Sequence, residues 1–425
     1  MADNLNRVAR VVRDLENEYT AFQFLKRMSP LTASQLAELD SSTYSKGIDK
    51  EAQLSRLNFL KERGAELENI RLNESKISPE NYKGSIENYI GMAQIPLGLA
   101  GPLLVNGAHA HGDFYIPLAT TEGALVASYN RGMKACRLSG GITSLCIAEG
   151  IQRSPSFKFK NIGEAGLFVK WTYDHLEDFN RITKESSNFA KLNDIKTNLE
   201  GNTVILTFEY STGDASGQNM VTFCTDNICQ YILKEFSIKP QQWYIESNFS
   251  GDKKATAVSF STYRGKKVTA EALLPKKVVE EVLKSTPKAV ADYWQTSTLG
   301  VVQSGAIGAQ GHIANGLTAL FIACGQDVAC VAESSVGITR MEVSAEGDLY
   351  VSLMLPSIMA GTIGGGTGLG TQKECLQMMD CYGAGKAKKF AEICGALALA
   401  GEVSIAAAMS SGHFSIAHQN LGRKK

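Results

Sequence analysis

The chain has 425 residues, of which 44% are hydrophobic and 20% charged, and its 43 Lys and Arg balance 43 Asp and Glu. That length exceeds one ordinary domain and predicts two or three, with a sizeable core. Zero net charge argues against nucleic acid or an anionic membrane as partner, though a local cationic patch could still take phosphate.

Nine cysteines without a C-x-x-C pair read as reduced thiols of a cytoplasmic protein, not as a disulfide framework or a zinc site. The first residues, MADNLNRVARVVRDLE, lack the apolar core of a signal peptide. Residues 1–66 alternate charged and apolar positions at helical spacing, broken at Ser29-Pro30, and predict a helical N-terminal lobe. From Glu87 the segments IPLGLAGPLLVNG and HAHGDFYIPLATTEG suit short strands joined by turns. Residues 155–245 run strand, helix, strand, strand, helix, the rhythm of a small α/β sandwich set into a larger domain. Val258–Arg264 and Lys267–Leu274 look like further strands, and much of the rest is helical. The longest apolar stretches, LTALFIAC and GALALAG, fall short of the roughly 20 residues that cross a bilayer. The expected class is α+β: a helical lobe at 1–66, a large mixed α/β substrate domain at 67–154 and 246–425, and a small inserted domain at 155–245.

Several segments break the propensity rules around them, as functional sites tend to do. In ATTEGALVASYNRG, Thr121 and Glu122 suit ordinary helix capping, or a carboxyl held at the mouth of an apolar helix, where desolvation would make it a proton donor. In GDASGQNM, a turn running into a helix would aim backbone N–H groups at a pyrophosphate; a solvated turn fits as well. GDKKA follows the small domain directly, where ligand sites favour domain junctions. In GAQGHIANGLTALFIACGQD, His312 and Asn315 would share a helix face, and Asp327 after an apolar run would be buried and need a lysine, or else cap a helix end. GTIGGGTG allows close backbone approach, without the spacing of a Walker or dinucleotide motif, and helix packing is the alternative. His413 and His418 lie in the tail; a histidine that folds over a site could act as a general acid.

In this order and spacing, ENYIGMAQIPLGLAGPL, ATTEGALVASYNRG, GDASGQNM, GDKKATA, IACGQD, LPSIMAGTIGGGTGLGTQ and GHFSIAH resemble the hydroxymethylglutaryl-CoA reductase family over residues 85–420. The eukaryote-type class is the nearer one, without the membrane-anchor domain of the animal proteins. The resemblance implies reduction of hydroxymethylglutaryl-CoA to mevalonate and CoA by two hydrides from NADPH, with NADH the other option and no metal. It implies Glu122, Lys253, Asp327 and His418 as catalytic residues, with Asp327 between Lys253 and Glu122. Ser128, Asn130 and Arg131 would lie along CoA, and Arg153, Asp252, Lys254, His312 and Asn315 around the acyl group. Ser187, Asn188, Phe189, Asp214, Gly217, Asn219, Met220, Gly364, Gly365 and Gly366 would hold the dinucleotide, with 155–245 as a ferredoxin-like cofactor domain. A homodimer or dimer of dimers, with the active site at the interface, is also implied.

The chain departs from the family in three places. Asn188 stands where eukaryotic members carry an arginine for the 2′-phosphate, with Lys191 nearby. YWQTSTLG holds no counterpart of the family's acyl-contacting lysine, and Gln310 replaces an asparagine. Two other readings follow: a homologue reducing a different acyl-CoA, and a catalytically dead regulator that binds CoA or nucleotide.

Overall fold

The computed structural model describes residues 20, 49–62, 79–262 and 264–412, so the tail histidines His413 and His418 and most of the N-terminal lobe lie outside the described residues. The chain divides into two compact units, 1–92 and 93–425. In the first, helix α1 (Lys50–Lys61) starts where the Asp49 carboxylate accepts the Ala52 N–H. Tyr82 and Tyr89 stack there with ring centres 4.9 Å apart.

The second unit is built on one mixed sheet. Strands β1 (Leu97–Gly107) and β2 (His111–Ala119) pair antiparallel, and helix α2 (Leu125–Leu138) leads to β3 (Ile142–Arg153), which lies parallel to β1. β3 also pairs with β8 (Gly265–Leu274), which continues to β10 (Leu349–Ile358) and β9 (Ile338–Val343). Its last residues, Ile151–Arg153, leave β8 and pair instead with a strand of the small domain.

That small domain runs β4 (Ser156–Lys158), α3 (Ile162–Asp174), α4 (Leu176–Ser186), β5 (Lys191–Glu200), β6 (Thr203–Ser211), α5 (Gln218–Glu235) and β7 (Gln242–Tyr244). Its strands lie in the order β7-β4-β6-β5, all antiparallel, which is the ferredoxin-like arrangement. Phe157, Phe159, Phe168, Phe179 and Phe208 are fully buried beneath its helices. The chain returns to where it left, with Ser247 N–H and hydroxyl both donating to the Ser154 carbonyl.

Helices α6 (Pro287–Ser304), α7 (Ile313–Ala323), α8 (Gly370–Met378) and α9 (Ala387–Ser410) complete the unit. Two sequence expectations need correction. Ala257–Phe260 is a 3-10 turn, not a strand: the hydroxyls of Ser259, Ser261 and Thr262 bond back to local carbonyls and compete with a ladder. The longest apolar element is also longer than the sequence suggested. By length and composition alone α9, at 24 residues, could cross a membrane, but 83% of its most apolar stretch is buried inside the protein. All nine cysteines are free thiols, and all but Cys146 are buried.

Candidate active site

Three clusters of chain segments, distant in sequence, form the candidate site. The first joins GDKKA to the turn after IACGQD. The Lys253 ammonium lies 2.8 Å from Asp327 Oδ2, with 43% and 46% of the two side chains exposed. The other oxygen of Asp327 accepts the Ala329 N–H and caps the turn Val328–Cys330. Asp327 therefore meets its lysine and also caps, but it is half exposed, not buried as expected, because the apolar run ends in the loop before it. The hydrogen bond to Asp327 holds the Lys253 ammonium above the usual lysine range and keeps it cationic.

Behind this pair lies a chain of ion pairs. Arg153 Nη1 is 3.2 Å from both Glu246 and Asp252. Arg264 donates to the other oxygen of Asp252 at 2.8 Å and to Glu333 at 2.7 Å. The second oxygen of Glu333 accepts the Lys253 backbone N–H at 3.1 Å. Burial pushes the Glu333 carboxyl up, and the Arg264 guanidinium opposes that rise. The Lys254 ammonium turns back onto the Asp252 carbonyl.

The second cluster surrounds a cavity of about 420 Å³ lined by Glu122, Ser128, Arg131, His312, Asn315 and Met409. Helix α2 begins at Leu125, with Ala124 at its N-cap in a left-handed conformation (φ 70°), so Glu122 stands before the helix. Glu122 is exposed and not desolvated at a helix mouth, and the Thr120 hydroxyl accepts its N–H locally. Asn315 Nδ2 donates to Glu122 Oε2 at 2.8 Å. His312 stands at the position before α7 and stacks on Tyr129 at 4.9 Å, while the Tyr129 hydroxyl donates to the His312 carbonyl. Burial lowers the His312 imidazole below its ordinary range, and its Nε2 has no hydrogen-bond partner among the described residues. Beneath it, Glu402 on α9 accepts the N–H groups of Gly311 and His312. Full burial pushes this carboxyl up to about 7, against those backbone hydrogen bonds. Arg131 grips the Ser404 carbonyl and hydroxyl, Ser128 meets the same hydroxyl, and Asn130 accepts the Gly101 N–H.

The third cluster draws together GDASGQNM, GTIGGGTG and the ACGQD loop. A Cβ on Gly361 would stand 2.7 Å from the Ser216 nitrogen, and one on Gly325 would stand 2.3 Å from the Gly366 carbonyl oxygen. Only glycine permits these approaches. The Asp214 carboxylate accepts from Gly385 and Ala387 at the start of α9, so in this chain it is already engaged as a cap. Among the described residues no side chain caps α5, whose first turn carries Asn219 and Met220 after Gly217. Gly364 and Gly365 take positive φ. Ser187 accepts the N–H groups of Phe189 and Ala190, leaving Phe189 74% exposed beside Asn188.

Among the described residues, no hydrogen bond or ion pair within one chain joins Glu122 to Lys253 or Asp327, so the expected bridge is seen only on its lysine side. Sequence reasoning missed Glu246, Arg264, Glu333 and Glu402. The signal for Glu402 was there to read: a lone acid in GALALAGEVSIAAA needs a buried partner.

A protein-family model described as hydroxymethylglutaryl-coenzyme A reductase matches residues 52–423. The 3-hydroxy-3-methylglutaryl-coenzyme A reductase of Pyrococcus abyssi is 43% identical over 357 residues, 82% of this chain and 87% of its own. That of Methanocaldococcus jannaschii is 44% identical over 346 residues, 80% of this chain and 85% of its own. A solved structure of the class II reductase from Streptococcus pneumoniae, bound to NADPH, covers 84% of this chain and 96% of its own with a TM-score of 0.65, at 16% identity. A family match over most of the chain and relatives above 40% identity converge on one assignment. The chain belongs to the hydroxymethylglutaryl-coenzyme A reductase family.

Proposed function

We propose that the protein reduces hydroxymethylglutaryl-CoA to mevalonate and free CoA, with NADPH as reductant. The observation that carries this is the Lys253–Asp327 pair: a cation kept protonated and half exposed, able to meet an oxyanion.

The loops of the third cluster fit a dinucleotide. An uncapped helix start in α5 offers N–H groups to a pyrophosphate, and the glycine loop allows backbone approach. When bound, the reduced nicotinamide would supply one hydride, and a second cofactor molecule the other. Lys253 stabilises the oxyanion that develops on the thioester carbonyl, and Asp327 fixes its charge and direction. Glu122, held by Asn315, is the proton donor to the aldehyde oxygen in the second reduction. His418 is assigned protonation of the departing thiolate. Arg153, Asp252 and Lys254, with His312 and Asn315, form the acyl pocket, and Ser128, Asn130 and Arg131 the CoA track. Residues 155–245 serve as the cofactor domain, where Ser187, Asn188 and Phe189 meet the adenosine end. Since Glu122 and Lys253 stand in separate clusters, each open to solvent, we read the working enzyme as a homodimer or dimer of dimers in the cytoplasm.

The test follows loss of NADPH, and separately NADH, with hydroxymethylglutaryl-CoA while titrating released thiol. Two cofactors oxidised per thiol is the expected result, and the ratio of rates reports what Asn188 does. A second reading, reduction of another acyl-CoA, rests on two observations: Arg153 is already paired with Glu246 and Asp252, and Gln310 Oε1 is buried without a partner among the described residues. Turnover with a different thioester alone would replace the first reading by the second. Binding of both ligands without any turnover would mark a regulator.

A further inference from the structure

Glu333 is 2% exposed and sits on the helical turn Val331–Ser334, just after Asp327 in the chain. Its two oxygens do different work. One accepts from Arg264 Nε at 2.7 Å, and the other accepts the backbone N–H of Lys253 at 3.1 Å. Lys253 needs that hold, because its backbone is left-handed (φ 55°), a conformation lysine rarely adopts. Arg264, 4% exposed, donates to Glu333, to Asp252 next to Lys253, and to the Gln152 carbonyl at the end of β3. One buried carboxylate thus ties the segment carrying Lys253 to the segment carrying Asp327. One buried guanidinium anchors both to the sheet.

We propose that Glu333 and Arg264 are positioning residues for the reduction, fixing the strained Lys253 backbone so that its ammonium meets Asp327, without themselves touching substrate. This rests on the reading of Lys253 and Asp327 as the reacting pair. The charged and titratable groups acting on the Lys253 ammonium are Asp327, Asp252 and Cys330. When the backbone hold is lost, the ammonium leaves Asp327 and its pKa falls toward the ordinary value.

The test uses Glu333→Gln and Arg264→Lys in the full chain. The glutamine offers one acceptor oxygen where two donors converge. The lysine keeps the charge but cannot reach Glu333, Asp252 and the Gln152 carbonyl together. The first readout is the rate at which an amine-acetylating reagent modifies Lys253, followed by mass spectrometry at fixed pH, with Asp327→Asn as the reference for a freed lysine. Both variants are expected to speed acetylation about threefold or more, since one unit of pKa changes the free amine about tenfold. The second readout is turnover: kcat should fall about 10²-fold with little change in KM, and the alkaline limb of its pH profile should move to lower pH. A purely structural role would leave acetylation and that limb where they are. Unchanged Lys253 acetylation in both variants, while Asp327→Asn accelerates it, would overturn the proposal. Should the unaltered protein fail to reduce hydroxymethylglutaryl-CoA, the reading of function fails, and acetylation still decides the positioning. If Glu333→Gln does not fold, as judged by circular dichroism, Arg264→Lys decides alone.

Discussion

Around Lys253, the carboxylates of Asp252, Glu246, Glu333 and Asp327 each meet a cation; around His312, the buried carboxylate of Glu402 meets only backbone N–H groups among the described residues. Both arrangements hold a loop in place, but they answer to different variables. Paired charges keep their ionisation over a wide pH range, and removing one partner strands the other. For Glu402 full burial outweighs the backbone hydrogen bonds that favour its charged form, which is why its carboxyl is pushed up to about 7. The lysine end of the site is therefore fixed by charge, and the histidine end is sensitive to pH.

The largest expected effect breaks the charged end. Arg153→Met leaves Glu246 and Asp252 side by side, Glu246 without its cation, and should cost about 3–5 kcal/mol of stability. Urea unfolding at pH 7 measures it. A loss below about 1 kcal/mol would mean that the ion-pair chain does not hold this region and that the contrast is drawn in the wrong place.

Lys253→Met comes next and separates chemistry from stability. Lys253 is half exposed, so the fold should be nearly unaffected, while kcat falls about 10²–10³-fold for want of the oxyanion's partner. Steady-state rates with hydroxymethylglutaryl-CoA, set beside the melting curve, check both halves. A large fall in melting temperature would place Lys253 among the structural charges with Arg153.

The pH-sensitive end is tested by Glu402→Gln. Glutamine can still accept from Gly311 and His312 but cannot ionise. In the parent, the unfolded carboxyl ionises near 4.5 and the folded one at about 7, so the native state binds more protons between these values. Parent stability relative to the variant should therefore fall as pH rises through that window, by about 3 kcal/mol as a ceiling, and level off above it. Taking the difference between the two proteins cancels their other titrating groups, His312 among them. A flat difference from pH 4.5 to 8 would show that Glu402 ionises normally and that the two ends are alike.

These contrasts also mark how far the sequence could be read. ATTEG, GDKKA, GDASGQNM, ACGQD and GTIGGGTG meet in the clusters, and their local irregularities, such as the glycines of GTIGGGTG, are visible one residue at a time. Alternating strand and helix signals mark 155–245 as a small α/β sandwich, while its ferredoxin-like strand order is what the family resemblance implies and the strand pairing supplies. Arg264 and Glu333 give no such sign: each is an ordinary charged residue until the fold sets it beside a partner 69 positions away. Val258–Arg264 misled because β-branched residues suggest a strand, while serine and threonine hydroxyls there close a turn. In the sequence GALALAG shows only a short part of helix α9, because Glu392 and Glu402 bound that apolar run. Both acids are buried on backbone amides, a solution that only tertiary structure supplies.

The smallest effect sharpens the link between the two ends. Asn315 is the hydrogen-bond donor seen on the Glu122 side chain, and it lies in the first turn of the helix that Glu402 caps. Asn315→Ala removes one hydrogen bond to an exposed carboxylate, so the fold should hardly notice, while Glu122 loses its orientation. A loss of about 1 kcal/mol in transition-state stabilisation, roughly fivefold in kcat/KM, is expected. Because Asn315 and Glu402 share one helix start, the double variant Asn315→Ala/Glu402→Gln should lose less than the product of the two single losses. If the losses multiply, the cap does not act through Asn315, and the histidine end is two independent devices instead of one.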